Sequence, residues 1–453
     1  MGASRILDGV SWSGLVEAAL DVRLTTTAAA VVFTVLTVAG LAALAARRHR
    51  RWLLTGIPTA VALTLVLVVL AAVLVEQVWR PFPDRLPRDV YAWTAVAVLA
   101  VALLAGRWLV RRRDRARPLV AAGLVVAALA VVVAGAGRIN AVFDAYPTVR
   151  SALGMTDYRT VPLDAALAPA TATVARRPLS ETWSPLADLP ATGAVTTTPI
   201  PGAVSGFRAR DARIYLPPAY FADPRPELPV LVLLAGQPGS TDDWLIGGRL
   251  PQIMDAFAAG HEGLAPVVVL ADGTGGQFDN PLCADSRLGN AATYLALDVP
   301  AWVREHLQVD DDPAGWAIGG LSYGGTCALQ LATARPEVYP TFLDFSGQAE
   351  PTLGDRDRTI REVFGGDTEA FARNNPADLL ARNRYPGSAG AFVVGLDDSE
   401  YRSGIEQLTT AARAAGMDVH LTELPGAHSF AVWSAGLEKE LPWLSRRLGL
   451  VAP

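Results

Sequence analysis

Two kinds of hydrophobic pattern divide this chain. From residue 24 to 137 the apolar positions are nearly continuous, in four runs at approximately 24–46, 52–75, 91–110 and 118–137 built mostly of Ala, Val and Leu. Each is long enough to cross a bilayer as a helix, which takes about 20 residues. Their interiors carry almost no ionisable side chain, Arg107 lying near an end. From about residue 190 the apolar runs become short and alternate with helical patterns. Strands are expected at 193–199, 208–216, 229–235, 266–271, 315–320, 341–346, 391–396 and 418–423, and helices at 250–260, 297–308, 323–335, 402–415 and 433–447. Two early strands followed by strand–helix alternation describe a mostly parallel sheet with helices on both faces. A continuous apolar strand such as PVLVLLA (229–235) suits a sheet buried on both sides. The stretch 138–190 between these halves is rich in Ala, Pro, Thr and Arg without sustained periodicity, and reads as a linker with a short helix. The plan is a membrane region over 1–137, a linker over 138–190 and a soluble α/β domain over 191–453.

Charge gives the membrane half a direction. RRHRR (47–51) follows the first span and RRRDRAR (111–117) the third, whereas the second loop, EQVWRPFPDRLPRD, balances its arginines with acids. Arginine clusters stay cytoplasmic. Both clusters are therefore expected inside, and the N-terminus and everything after residue 137 outside. The first span is not expected to be a cleaved signal peptide, because its positive charge follows the apolar run and three more spans come after it. A span that carries substrate would need ionisable groups inside it; their absence favours a plain anchor over a lipid-handling or transport module. The net charge of −5 and the lack of a basic patch interleaved with aromatics argue against nucleic acid as partner.

Candidate chemistry sits in AIGGLSYGGTCALQLA (317–332). Gly320-Leu321-Ser322-Tyr323-Gly324 is a G-x-S-x-G placed between an expected strand and an expected helix, which is the setting of a nucleophile elbow. The glycines leave room for a strained turn, and the turn puts Ser322 at a helix N-terminus, where developing negative charge is favoured. A serine needs a base to take its proton and an acid to hold that base, and behind an elbow these follow in the order acid, then His. Of the five histidines, His49 lies in a cytoplasmic loop, His261 and His306 precede the serine, and His420 lies within a strand. His428 follows the last strand in the Gly-containing loop LPGAHSFAVW and is the expected base. The strand end VVGLDDSEY offers the acid: Asp398 first, with Asp397 and Glu400 as alternatives. Two backbone N–H groups form an oxyanion hole, expected from Tyr323 and from Gln237 in AGQPGSTDDW. No ligand cluster suggests a metal, and no cofactor is expected.

These residues resemble the esterase-D-like α/β-hydrolases, a family that includes the antigen 85 mycolyltransferases. The resemblance rests on LLAGQPGSTDDW, NPLCADSRLGNAATYLALDVPAWV, GGLSYGGTCALQLA and ELPGAHSFAVW, spread over approximately 190–450, with the pattern around His428 and Trp433 the most specific. It implies an α/β-hydrolase fold and an acyl-enzyme on Ser322, with His428 as base backed by a carboxylate, and it supports Gln237 and Tyr323 as oxyanion donors. Ala235 departs from the pattern: many hydrolases carry His there and the mycolyltransferases Asp. The mycolyltransferases also lack the four spans, so trehalose and mycolic acid do not carry over. The expected activity is that of a membrane-anchored, extracytoplasmic serine esterase or acyltransferase on a cell-envelope acyl ester, with water, a lipid or a sugar hydroxyl as acceptor. The rival reading is an idle hydrolase-fold scaffold or receptor, which the intact Ser, His and acid argue against. Residues 348–390 are expected to form a helical cap. Cys283 and Cys327 are compatible with a disulfide outside the membrane or with one buried and one loop thiol, and the spacing alone does not decide.

Overall fold

The computed structural model describes residues 12–47, 49–111, 118–185 and 189–452. Arg48 and residues 112–117 of the expected arginine loops lie outside these described residues. Two compact units divide the chain, Met1–Thr156 and Asp157–Pro453.

In the first unit a short helix α1 (Trp12–Leu20) precedes four long ones. These are α2 (Thr27–Ala45), α3 (Trp52–Trp79, its ends wound as π turns), α4 (Arg88–Arg111) and α5 (Pro118–Phe143). All four long helices are long and apolar enough to cross a membrane. Their side chains mostly face outward; a small core forms around Leu44, Trp52, Ala100, Leu103 and Val131. Small residues permit close approach: a side chain at Gly40 would collide with Val131 and with the Ala127 carbonyl. The helices outrun the apolar stretches. The end of α3 takes in Glu76, whose carboxylate accepts a 3.0 Å hydrogen bond from Tyr91 of α4. The end of α5 takes in Arg138, which lies over the Trp93 ring.

The second unit is built on an eight-stranded sheet. Its strands are β1 (Ala194–Thr198), β2 (Ala212–Leu216), β3 (Val230–Leu234), β4 (Val267–Leu270), β5 (Trp316–Leu321), β6 (Thr341–Phe345), β7 (Ala389–Gly395) and β8 (Asp418–Leu424). Their spatial order is β1-β2-β4-β3-β5-β6-β7-β8. Only β2 runs antiparallel, to both of its neighbours. This is the α/β-hydrolase fold. Val230, Val232 and Leu234 of β3 point into one core and Leu231 and Leu233 into the other, which is why that strand is apolar at every position. The main helices are α7 (Leu250–Ala259), α8 (Val299–His306), α9 (Tyr323–Ala334), α13 (Arg402–Ala414) and α14 (Phe430–Arg447). Between β6 and β7 lie three short helices, α10 (Arg356–Phe364), α11 (Thr368–Ala372) and α12 (Pro376–Arg382), within the stretch expected as a cap.

The stretch read as a linker, 138–190, carries more structure than that reading allows. Helix α5 continues to Phe143 and a capped turn, α6, follows at Val149–Ala152. From residue 157 the chain packs onto the hydrolase unit. Thr173–Val174 pairs with Arg225–Pro226, Thr160 bridges to Val195 of β1, and Leu179 and Ser180 donate to the carbonyls of Gly449 and Leu450. Ala166, Leu179 and Trp183 are buried in the core. These few anchors fall at irregular spacing, so no helical or strand period announces them.

Candidate active site

Strand β5 ends at Leu321 and α9 begins at Tyr323, leaving Ser322 alone in the turn with φ 54° and ψ −119°. A non-glycine residue at positive φ is strained. The neighbours hold it there: Ser322 N–H donates to Phe345 O on β6, and Thr326 N–H donates to Ser322 O. The flanking glycines are sterically required. A side chain at Gly320 would overlap the Gly324 backbone, and one at Gly324 would lie 2.6 Å from the carbonyl oxygens of Leu234 and Ala235. Ser322 is accordingly half-buried at the tip of the turn, at the carboxyl edge of the sheet.

The loop after β3 passes beside it. A Cβ placed on Gly236 would be 3.5 Å from Ser322 Cβ, so Gly236 lies against the turn. The Gln237–Pro238 peptide is cis, and Gln237 Nε2 donates to Phe278 O at 2.9 Å. Tyr323 occupies the first position of α9, where an N–H has no intrahelical acceptor. Its phenol is buried, donates to Gly273 O and accepts from Cys283 N–H. Cys283 and Cys327 form a disulfide with a Cα separation of 5.3 Å, tying the loop after β4 to the elbow helix. Both thiols are thus accounted for.

Sequence reasoning did not find a second brace on these loops. Arg210 makes two contacts to the carboxylate of Asp272 and also donates to Gly239 O and Thr274 Oγ1. Burial pushes the Asp272 carboxyl up, but the Arg210 hydrogen bonds outweigh it, and Asp272 ends below the usual carboxylate range. No motif marks this pair, because its members stand 62 residues apart.

Asp398 and His428, the expected acid and base, come from the ends of β7 and β8. Gly395 closes β7 against the loop after β8, and a side chain there would overlap Gly426 O. Asp397 N–H donates to Gly426 O at 2.9 Å, locking the two loops together. Asp398 turns inward, only 3% exposed, and its Oδ2 lies 2.9 Å from His428 Nδ1. Asp397 and Glu400, the alternative acids, are exposed. The contact assigns Nδ1 as the protonated nitrogen facing the carboxylate, which leaves Nε2 as the acceptor. The imidazole stacks on Tyr401, ring centroids 4.0 Å apart and planes within 15°, and meets Trp433 edge-to-face at 4.9 Å. Tyr401 was not singled out in the sequence; an aromatic three residues after an acid carries no distinguishing signal.

The other histidines of this unit have local partners. His261 stacks on Phe257, His306 stacks on Trp302, and His420 is hydrogen-bonded to Glu440 at 2.6 Å. One further buried acid, Asp344, sits on β6 beside Gly320 of β5; burial lifts its carboxyl to about 7, against a single hydrogen bond from Gly347 N–H. Among the described residues no group of three or more His, Cys, Asp or Glu is gathered as metal ligands.

Comparison with known proteins identifies the family. Residues 207–444 match the profile of the family described as "Putative esterase". An uncharacterized protein of Corynebacterium glutamicum is 38% identical over 414 residues, covering 89% of this chain and 92% of that protein. The diacylglycerol acyltransferase/mycolyltransferase Ag85A of Mycobacterium tuberculosis is 25% identical over 309 residues, 57% of this chain and 90% of that one. Among solved structures a ferulic acid esterase superposes with a TM-score of 0.51 at 19% identity, over 57% of this chain and 99% of its own, which is a likeness of fold. With the esterase profile spanning the strained serine turn, the loop beside it and the hydrogen-bonded His and Asp, the chain belongs to the esterase family of α/β-hydrolases and is a serine hydrolase or acyltransferase.

Proposed function

We propose that this protein is a membrane-anchored serine esterase or acyltransferase whose catalytic unit faces out of the cytoplasm and acts on an acyl ester of the cell envelope. The observation that carries the catalytic part is the 2.9 Å contact of His428 Nδ1 with the buried Asp398, in a unit that also presents Ser322 on a strained elbow. In this reading His428 Nε2 takes the Ser322 proton while Oγ attacks the ester carbonyl carbon. The carbonyl oxygen becomes an oxyanion, met by the N–H groups of Tyr323 and Gln237 and by the α9 N-terminus. Collapse breaks the bond to the leaving alkoxide, which receives the proton from His428 and leaves an acyl-enzyme on Ser322. Water or a second hydroxyl, deprotonated by the same imidazole, then releases the acyl group. Asp398 stays ionised throughout and stabilises the imidazolium.

The membrane part rests on the four long apolar helices and on the arginine clusters at 47–51 and 111–117, whose cytoplasmic preference sends the chain after α5 outward. Similarity to acyltransferases of mycobacteria supports an envelope ester, with a sugar or lipid hydroxyl as acceptor. The test uses detergent-solubilised full-length protein, wild type beside Ser322→Ala. Each is treated with a fluorophosphonate probe and then given a short-chain nitrophenyl ester with and without sugar acceptors. Labelling and turnover that vanish with Ser322→Ala, and product on the sugar, are the expected results. A folded wild type that neither labels nor turns over would overturn the assignment in favour of an idle scaffold.

A further inference from the structure

Helix α1 is amphipathic and its apolar side is uncovered. Trp12, Leu15, Val16 and Ala19 follow the i, i+3, i+4, i+7 spacing that places them on one side of a helix. Trp12 is 80% exposed, Leu15 52% and Val16 42%. A water-soluble unit rarely leaves a nine-residue helix this open along its apolar stripe. The other side is held. Arg150 of α6, mostly buried at its side chain, pairs with Glu17 and, at 3.0 Å, with Asp21. The helix therefore has one orientation, with its acids neutralised and its apolar stripe turned away.

Its level is fixed as well. Leu24 N–H donates to Pro147 O at 2.9 Å, Val149 N–H donates to Val22 O at 3.1 Å, and Arg23 bridges to Thr148. These bonds join the chain entering α2, which Thr26 caps, to the chain that has just left α5. Helix α1 thus lies at the height where one long apolar helix begins and another ends, and at that height the uncovered stripe meets the boundary of whatever solvates those helices.

We propose that Trp12–Leu20 is an interfacial helix lying along the bilayer surface, its Trp12–Leu15–Val16 stripe sunk among headgroups and upper acyl chains and its Glu17–Asp21 side clamped by Arg150. Amphipathic helices of this kind bind by buried apolar area, and tryptophan favours that boundary. The inference rests on the reading that α2 to α5 cross a membrane. The Arg150 clamp then holds the segment leading out of α5 against the surface before the chain enters the hydrolase unit.

The test is nitroxide labelling of single cysteines in the full-length protein, reconstituted in phosphatidylcholine–phosphatidylglycerol nanodiscs. Both native cysteines are paired, so each variant carries one free thiol. Leu15→Cys and Val16→Cys probe the stripe, Gly14→Cys, three residues before Glu17, the acid side, and Val66→Cys, 55% exposed on α3, the core of a span. Relaxation by dissolved oxygen is compared with relaxation by a water-soluble nickel chelate. The expected result is oxygen-dominated relaxation at Leu15, Val16 and Val66 and nickel-dominated relaxation at Gly14. Nickel-dominated relaxation at Leu15, Val16 and Gly14 with Val66 still lipid-exposed would overturn the interfacial helix and leave the spans standing. The same would follow if Gly14 proved as lipid-exposed as Leu15. Nickel access at Val66 would remove the membrane reading, and the inference with it.

Discussion

Replacing Asp398 by Asn removes one negative charge and little else, since the two side chains have the same shape. In the proposed mechanism, what is lost is the attraction between that charge and the imidazolium that His428 becomes during attack. At 2.9 Å, and with an effective dielectric of about 20, a unit charge pair is worth about 6 kcal/mol. At roughly 1.4 kcal/mol per power of ten, that is about four orders of magnitude in rate. The amide also offers an N–H to Nδ1, favouring the tautomer that leaves Nε2 protonated and unable to accept from Ser322. The assay is kcat for nitrophenyl ester hydrolysis by solubilised full-length protein, with thermal melting to confirm that the variant folds. Asp397→Asn and Glu400→Gln serve as matched controls: both side chains are exposed, and water screens them, so turnover should not change measurably. A loss of only about tenfold or less in folded Asp398→Asn would refute the reasoning. So would a comparable collapse in either control, which would mean that the acid acting on His428 is not the one buried against it.

Four further outcomes follow from the same geometry. Gly324→Ala should destabilise the hydrolase unit in denaturant melts: the new Cβ meets two backbone carbonyl oxygens at 2.6 Å, a clash costing about 1–3 kcal/mol that outweighs the gain of about 1 kcal/mol in helix propensity; unchanged stability would contradict it. Tyr401→Leu should lower kcat about fivefold, through loss of a ring stacked on a cationic imidazolium worth about 1 kcal/mol, while Tyr401→Phe keeps the stack and the rate; equal losses in both would point to the hydroxyl instead. Asp344 binds its proton more tightly folded than unfolded, its carboxyl rising from 3.8 to about 7 by burial. At about 1.4 kcal/mol per unit it therefore takes about 4 kcal/mol of stability away as pH climbs from about 4 through about 7. Asp344→Asn should flatten that loss in melts at about pH 5 and about pH 8, and an unaltered slope would refute it. Replacing Cys283 and Cys327 together by Ala frees a loop with a sequence separation of 44 and should lower unfolding free energy by about 4 kcal/mol on chain-entropy grounds, read in denaturant melts of the purified protein.

The parts of the fold that were legible in the sequence are those where one physical requirement acts over several consecutive residues. A strand buried on both faces must be apolar throughout, and PVLVLLA became β3 with alternate side chains in two cores. A helix long enough to cross a bilayer needs about 20 apolar residues, and the four runs became four helices of that length and composition. The strained turn at Ser322 needs space on both sides, and Gly320 and Gly324 announce it. Features made by residues far apart were not readable in this way. The disulfide depends on a 5.3 Å approach between a loop and a helix 44 residues apart in sequence. The Arg210–Asp272 brace joins two loops with no shared motif. The segment from 157 to 185 is fixed by a two-residue strand pair and three buried side chains, too few to imprint a period.

The proposed acid shows most clearly where local reading stops. LDDSE offers three carboxylates within four positions, and composition treats them alike. Which one turns inward is settled by the end of β7, where Gly395 lets the backbone run against Gly426 and the Asp397 N–H is spent on the Gly426 carbonyl. That bond points the next residue, Asp398, toward the loop that carries His428, while the side chains of Asp397 and Glu400 are exposed. The choice is thus encoded in a glycine–glycine approach between two strand ends about 30 residues apart. A substitution at Gly395 should then displace the acid as effectively as changing Asp398 itself. Gly395→Ala is expected to lower kcat with Asp398 still present, and full activity in that variant would show that the strand ends do not set the direction of the carboxylate.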